Sequence, residues 1–306
     1  MGYQLSDKKP RVDLPAGVVM LDGAMGTELQ RRGVQGPNTL WSTYALLQAE
    51  EIVVDVHADY IEAGASIITT NNYATVPRRL REAGLENRFE ELIAKAGKLA
   101  TRARNRSDRD VLIAGSLPPL YGSYRPDLVR RYEEIEPQYR EIAQLLEPYV
   151  DLFICETMSS SDEALAAANG AAATGKPVWV AWSLHDNASG SLRSGESIEH
   201  AVATIQNVPV SAYLLNCCRP ESVSAAIPEL KTLSDNPVGA YANGFTHIPD
   251  KWAFSDDASL PNMRTDLSPD KYAQFAQKWV SDGARIIGGC CEVGPKHIEK
   301  LAQVLL

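Results

Sequence analysis

Eight short runs of apolar, largely β-branched residues recur along the chain, each with Gly, Asn, Ser, Thr or Cys among its last two residues and each followed by a longer stretch with helical spacing. They are VVMLDG (18–23), SIITTN (66–71), VLIAGSL (111–117), LFICET (152–157), PVWVAWSL (177–184), AYLLNCC (212–218), VGAYAN (238–243) and ARIIGGCC (284–291). Helices are predicted near 43–63, 88–106, 128–148, 161–174, 196–206, 221–233, 268–281 and 295–305. In the first of these Ile52, Val56, Tyr60 and Ala63 form one apolar face, and Ser268 before Pro269 is a cap with a first-turn proline. Strands apolar on both faces belong to a parallel sheet under a helical layer, and eight such units in this length predict a single-domain (β/α)8 TIM barrel. A doubly wound open sheet with an extra domain is the competing architecture, but no linker or composition break divides residues 1–306. Residues 1–14 read as a flexible N-terminus, and the long stretch 244–267 reads as a lid.

With a formal charge of −9, nucleic acid and anionic membrane surfaces are poor partners, and small molecules are expected instead. The polar start lacks the apolar segment of a signal peptide, and no stretch approaches the roughly 18 apolar residues of a membrane span, so a cytoplasmic protein is expected. Homo-oligomerisation is left open. Five cysteines make no disulfide framework and suit thiols kept for chemistry or metal.

A barrel works at the carboxyl ends of its strands. There the sequence places Asp22 and Gly23, Asn71 and Asn72, Glu156 and Thr157, Asn216, Cys217 and Cys218, Asn243, and Cys290 and Cys291. If the ends of the sixth and eighth strands both face the mouth, Cys217, Cys290 and Cys291 converge on one point. Three thiolates in a tetrahedron with an open fourth position are a catalytic Zn²⁺ pattern. Adjacent cysteines can equally be a pair of packed core thiols or a vicinal redox pair. Cys155, inside the fourth strand, reads as a core thiol, and Cys218, pointing opposite to Cys217, is left outside the metal shell. Gly288 and Gly289 are expected to let the chain turn and ligands approach.

Asp22 and Glu156 either cap helices and pair with arginines or, beside a metal, receive a substrate ammonium. Trp41, Tyr73 and Tyr121 are candidate aromatic faces for a cation, with core packing as the alternative. His57, His200 and His297 read as packing or surface residues, while His185 and His247 lie in loops on the working side.

LDGAMGTELQRRG (21–33), NCC (216–218) and GGCC (288–291) together resemble the homocysteine S-methyltransferase family, zinc-dependent thiol methyltransferases of the betaine or S-methylmethionine type, and they occur in that family's order over nearly the whole chain. The resemblance implies a (β/α)8 barrel and zinc held by Cys217, Cys290 and Cys291. It implies that Asp22 and Glu156 grip the homocysteine amino group, with the Gly23 backbone near its carboxylate. It further implies that Trp41 lines the methyl-donor side, and Asn72 and Tyr73 are placed in the same substrate site. The activity implied is transfer of a methyl group from S-methylmethionine, S-adenosylmethionine, betaine or dimethylsulfoniopropionate to homocysteine, or to selenohomocysteine. The alternative is a non-catalytic zinc- or thiol-binding barrel or acceptor subunit. NCC, the segment SLPPLYGSYRPDL (116–128) and the loop after Asn243 depart from the simplest family pattern, and the two segments are expected to shape donor choice. No cobalamin- or folate-binding module is expected, which favours a free-standing enzyme.

Overall fold

The computed structural model describes residues 12, 14–249, 251–252 and 260–306. Eight strands form: β1 (Val19–Met20), β2 (Ile67–Thr69), β3 (Leu112–Leu117), β4 (Leu152–Met158), β5 (Val178–Trp182), β6 (Val210–Asn216), β7 (Val238–Tyr241) and β8 (Ala284–Ile287). Neighbours pair in parallel in the order β1-β8-β7-β6-β5-β4-β3-β2, and a parallel bridge between Leu21 and Ile67 closes the ring. This is the (β/α)8 barrel expected from the sequence.

Period-two alternation explains why the strands read as apolar on both faces. Val19, Leu21, Ile67, Ile154, Trp179, Ala181, Ala212, Leu214 and Ile286 form the interior cluster. Their neighbours Met20, Ile68, Phe153, Cys155, Val180, Trp182, Tyr213, Leu215 and Ile287 belong to the layer between strands and helices. Residues 1–11 and 13, most of the segment expected to be flexible, lie outside the described residues; Val12 and Leu14 pack against the interior cluster.

The helices are α1 (Met25–Arg31), α2 (Thr43–Gln48), α3 (Glu50–Ala63), α4 (Pro77–Glu82), α5 (Phe89–Arg104), α6 (Tyr132–Leu146), α7 (Ser161–Ala172), α8 (Ile198–Thr204), α9 (Pro220–Thr232), α10 (Pro269–Ser281) and α11 (Pro295–Leu305). The helix expected over 43–63 is two pieces, because Ala49 at φ −147° leaves the helical region between α2 and α3. The short α1 and α4 are additional to the predicted set. Ser268 caps α10 by accepting a hydrogen bond from the Lys271 amide at 3.2 Å, as its sequence position predicts. Among the described residues no helix is long and apolar enough to cross a membrane.

Trp279 on α10 is fully buried, edge-on to Tyr272 and stacked on Phe275, and its indole N–H donates to Ser224 Oγ on α9 at 2.8 Å. Trp279→Ala leaves a large cavity and removes the donor to the Ser224 hydroxyl, which keeps only its own bond to Pro220 O, so urea unfolding is expected to show a stability loss of about 3–5 kcal/mol.

The stretch expected to be a lid is anchored at both ends. Phe245 and Met263 form an antiparallel bridge, the Thr246 amide donates to Asn262 O at 2.8 Å, and the Arg264 amide donates to Gly244 O at 2.7 Å. Phe245, Ile248 and Trp252 cluster over Cys217, Cys290 and Cys291, so this near end covers the sulfurs. Residues 250 and 253–259 of the expected lid lie outside the described residues.

Candidate active site and metal centre

The cysteines sit where two strands end around one strand between them. β6 finishes at Asn216, and Cys217 then adopts a left-handed backbone, φ 47°. Strict alternation from Ala212 and Leu214 would aim residue 218 inward and residue 217 outward. The reversal at Cys217 sends its sulfur into the mouth and Cys218 into the outer layer, the division expected from the sequence. Beyond β8 the Cys290 amide still donates to Ala242 O at 2.9 Å, which fixes Cys290 at the rim, and Cys291 follows in the turn.

Cys290 Sγ lies 2.8 Å and Cys291 Sγ 3.8 Å from Cys217 Sγ, and the three sulfurs are within 4.8 Å of one another. A tetrahedral ion with sulfurs at about 2.3 Å spaces them about 3.8 Å apart, so the trio fits one ion with small adjustment. Among the described residues it is the one group of three or more His, Cys, Asp or Glu side chains that can share a metal. Burial opposes a Cys217 thiolate, but hydrogen bonds from Cys290, Cys291 and Tyr124 outweigh it and draw its pKa well below the ordinary thiol value. Donating to Cys217 pushes Cys290 and Cys291 well above that value. Cys218 and Cys155 are inert by contrast: burial pushes the Cys218 thiol to about 12 and Cys155 higher still.

A cavity of about 100 Å³ opens beside the sulfurs. Asp22, Gly23, Trp41, Tyr73, Glu156 and all three cysteines line it. Asp22 accepts from the Thr69 amide at 2.7 Å and from Thr69 Oγ1 at 3.1 Å, yet burial pushes its pKa to about 7. Glu156 accepts from Ser116 Oγ at 2.5 Å; burial first, then the charges of Asp22 and Cys217, raise it to about 8. No Lys, Arg or His is among the described residues lining the cavity. Among the described lining residues these two buried carboxyls have no cationic partner, so a cation entering the cavity would meet no competing positive charge.

Trp41 is held at φ 44° with its indole against Gly26, where any Cβ would occupy the ring's place. Gly289 lines the cavity, and the room left by its missing side chain and by that of Gly288 is taken by Val293, Leu21 and the Asp22 carbonyl, so these glycines also let the chain pack closely on itself.

Several candidates fall elsewhere. Asn72 does not line the cavity. Its amide is used internally, accepting from Thr70 Oγ1 at 2.6 Å and donating to Ser116 O at 2.9 Å. Its neighbour Asn71 lines the wall instead; its Nδ2 donates to Ser42 O, and its buried Oδ1 has no hydrogen-bond partner among the described residues. Tyr121 also stays outside, accepting from Gln138 Nε2 at 3.1 Å beneath Arg130. Neither His185 nor His247 lines the cavity, and His247 Nδ1 lies 3.3 Å from Asp186. His57 is fully buried, and burial pulls its pKa down to about 4.

Sequence reasoning missed Tyr124 and Tyr241. Tyr241 was findable, because a tyrosine two residues before the end of VGAYAN ends a strand whose inward face is the barrel core. Tyr124 carried no such signal; its position follows from a loop turn with φ 63°. Trp41, Tyr124 and Cys217 at the cavity, Thr157 after Glu156 and Glu292 after Cys291 all hold positive φ, so backbone strain concentrates around this mouth.

A model of the family described as homocysteine S-methyltransferase matches residues 19–305. The chain is 32% identical to the homocysteine S-methyltransferase of Escherichia coli strain K12 over 93% of its own length and 94% of the relative's. It is 28% identical to homocysteine S-methyltransferase YbgG of Bacillus subtilis strain 168, covering 93% of both chains. The crystal structure of the E. coli homocysteine methyltransferase MmuM in its metallated form superposes with a TM-score of 0.78 at 30% identity, covering 94% of this chain and 96% of that one.

Proposed function

The chain belongs to the homocysteine S-methyltransferase family, and from that premise we propose that it is a cytoplasmic, single-domain enzyme that moves a methyl group from a small onium donor to the thiolate of L-homocysteine, giving methionine, with Zn²⁺ held by Cys217, Cys290 and Cys291. The observation that carries this reading is one cavity that joins a three-sulfur cluster to two buried carboxyls lacking a countercharge.

A free thiol of pKa about 8.5 is a few per cent ionised at pH 7, and ionising it there costs about 2 kcal/mol. Zn²⁺ held by Cys217, Cys290 and Cys291 would supply the missing activation by favouring the substrate's thiolate form. Asp22 and Glu156 take the homocysteine ammonium, and the Gly23 backbone meets its carboxylate. These contacts fix the substrate sulfur at the cysteine side of the cavity. Trp41 and Tyr73 turn aromatic faces to the donor's cationic centre.

In the transfer a lone pair on the homocysteine sulfur forms the new S–C bond. The bond from the methyl carbon to the onium atom breaks, and its electrons stay with that atom. An anion and a cation become two uncharged centres, a change favoured where Phe245, Ile248 and Trp252 exclude water. S-Methylmethionine, S-adenosylmethionine, betaine and dimethylsulfoniopropionate all carry such a methyl group. A metal store of the same fold would have no use for paired acids beside its sulfurs, which favours the enzyme.

The test is homocysteine-dependent methionine formation with each of the four donors, together with metal content. About one zinc per chain and turnover with at least one donor are expected; active protein free of zinc would overturn the metal assignment. Trp41→Ala is expected to raise the donor's KM about tenfold, as loss of a desolvated cation–π contact near 1–2 kcal/mol implies, while the homocysteine KM stays within about twofold. Equal losses for both substrates would make Trp41 a packing residue.

A further inference from the structure

Three loops meet beside Cys217, and the proposed chemistry gives no role to Tyr124, Asp186 or Arg193 among them. From the segment after β3, Tyr124 places its hydroxyl 2.9 Å from Cys217 Sγ. From the loop after β5, Arg193 lies over the Tyr124 ring, its guanidinium carbon 5.2 Å from the centroid. Arg193 Nη2 donates to Asp186 Oδ1 at 2.8 Å, and both side chains are almost sealed from solvent, at 6% and 5% exposure. From the loop after β7, the Ile248 amide donates to Asp186 Oδ2 at 2.8 Å, and the Trp252 ring centroid lies 5.8 Å from that of Tyr124.

A bare packing role does not account for this arrangement. A non-glycine residue at φ 63° costs about 1–3 kcal/mol and persists only where its surroundings enforce it. A buried ion pair is retained at a desolvation cost, and here it is spent on clamping one phenol. The direction of the hydrogen bond follows from chemistry: a cysteine sulfur that ligates a metal has lost its hydrogen, so the phenol donates. A cation over the ring polarises it and strengthens the O–H donor.

We infer that Tyr124, clamped by the Arg193–Asp186 pair, is a positioning residue that donates its hydroxyl hydrogen to the Cys217 thiolate and makes that sulfur a weaker electron donor than Cys290 and Cys291. This rests on the three cysteines binding metal, not on the identity of the methyl donor. A hydrogen bond to one of three thiolates draws charge away from the ion, which makes the fourth, substrate sulfur easier to ionise.

The test uses full-length protein loaded with Co²⁺, whose thiolate-to-metal charge-transfer band reports sulfur donor strength without any methyl transfer. Tyr124→Phe is expected to move the band to longer wavelength, because an unbonded thiolate gives up its electron more readily. Arg193→Gln should move it the same way by less, Arg193→Lys should restore it, and Tyr121→Phe, outside the cavity, should leave it in place. An unshifted band in fully loaded Tyr124→Phe overturns the inference. If that variant does not hold Co²⁺, Arg193→Gln decides, since it keeps the hydroxyl and removes only the clamp, and an unshifted band there overturns it equally. Wild-type protein that shows no thiolate band with Co²⁺ defeats the metal site itself and the inference with it.

Discussion

Cys290→Ala is expected to abolish stoichiometric metal binding and to lower methionine formation by about a thousandfold or more. Two remaining thiolates do not retain the ion in competition with solvent, and the activation lost amounts to several kcal/mol at about 1.4 kcal/mol per tenfold. Metal analysis beside steady-state kinetics reads both effects. Cys218→Ala is the informative contrast, because Cys218 is equally adjacent to a ligand yet packs in the strand–helix layer. That variant should cost stability through a small cavity and keep its metal. Metal-replete, active Cys290→Ala would remove the basis for the proposed mechanism.

Glu156→Gln should raise the homocysteine KM about 10- to 100-fold with the donor KM little changed, since a charge-assisted contact in a buried site contributes about 1.5–3 kcal/mol. The pH profile carries the sharper signature. In the substrate-free cavity burial holds Asp22 near 7 and Glu156 near 8, so at pH 6 both carboxyls are protonated and neither attracts an ammonium. The kcat/KM for homocysteine should therefore climb from pH 6 to above 8. The Gln variant should lose the upper step and keep the one near 7. The sign for folding is the reverse. Both acids sit above their ordinary values of 3.8 and 4.5, so the folded state binds more protons and the empty site weakens the fold as pH rises from about 4 to 8. An ammonium-bearing substrate relieves that penalty. A flat profile across this range, in wild type and variant alike, would mean the acids do not meet the substrate.

The barrel was legible because most strand residues are buried on both faces, which leaves a mainly apolar run in the sequence and a polar residue where it stops. The same rule located Asp22, Glu156 and the last two cysteines. Strand-end placement picked Cys217 and left Cys218 out, although strict alternation would reverse them; a single left-handed residue exchanges the two faces. The rule fails at Asn71 and Asn72, where both lie past the strand end and only hydrogen bonding decides which one the cavity meets. Tyr124 and the clamp behind it were hidden for a different reason. Its partners Arg193, Asp186 and Ile248 come from loops distant in the chain, and no spacing in the sequence links them. The break between α2 and α3 turns on one backbone angle within a continuous amphipathic pattern.

The sulfurs also have a mechanical side. Cys217 and Cys290 are 73 residues apart, so an ion between them is a cross-link around β7 and the anchored loop that follows it. Closing a chain segment of that length removes about 4 kcal/mol of disorder from the unfolded ensemble. An ion held by these sulfurs would make the proposed substrate centre the staple of the barrel's final quarter as well.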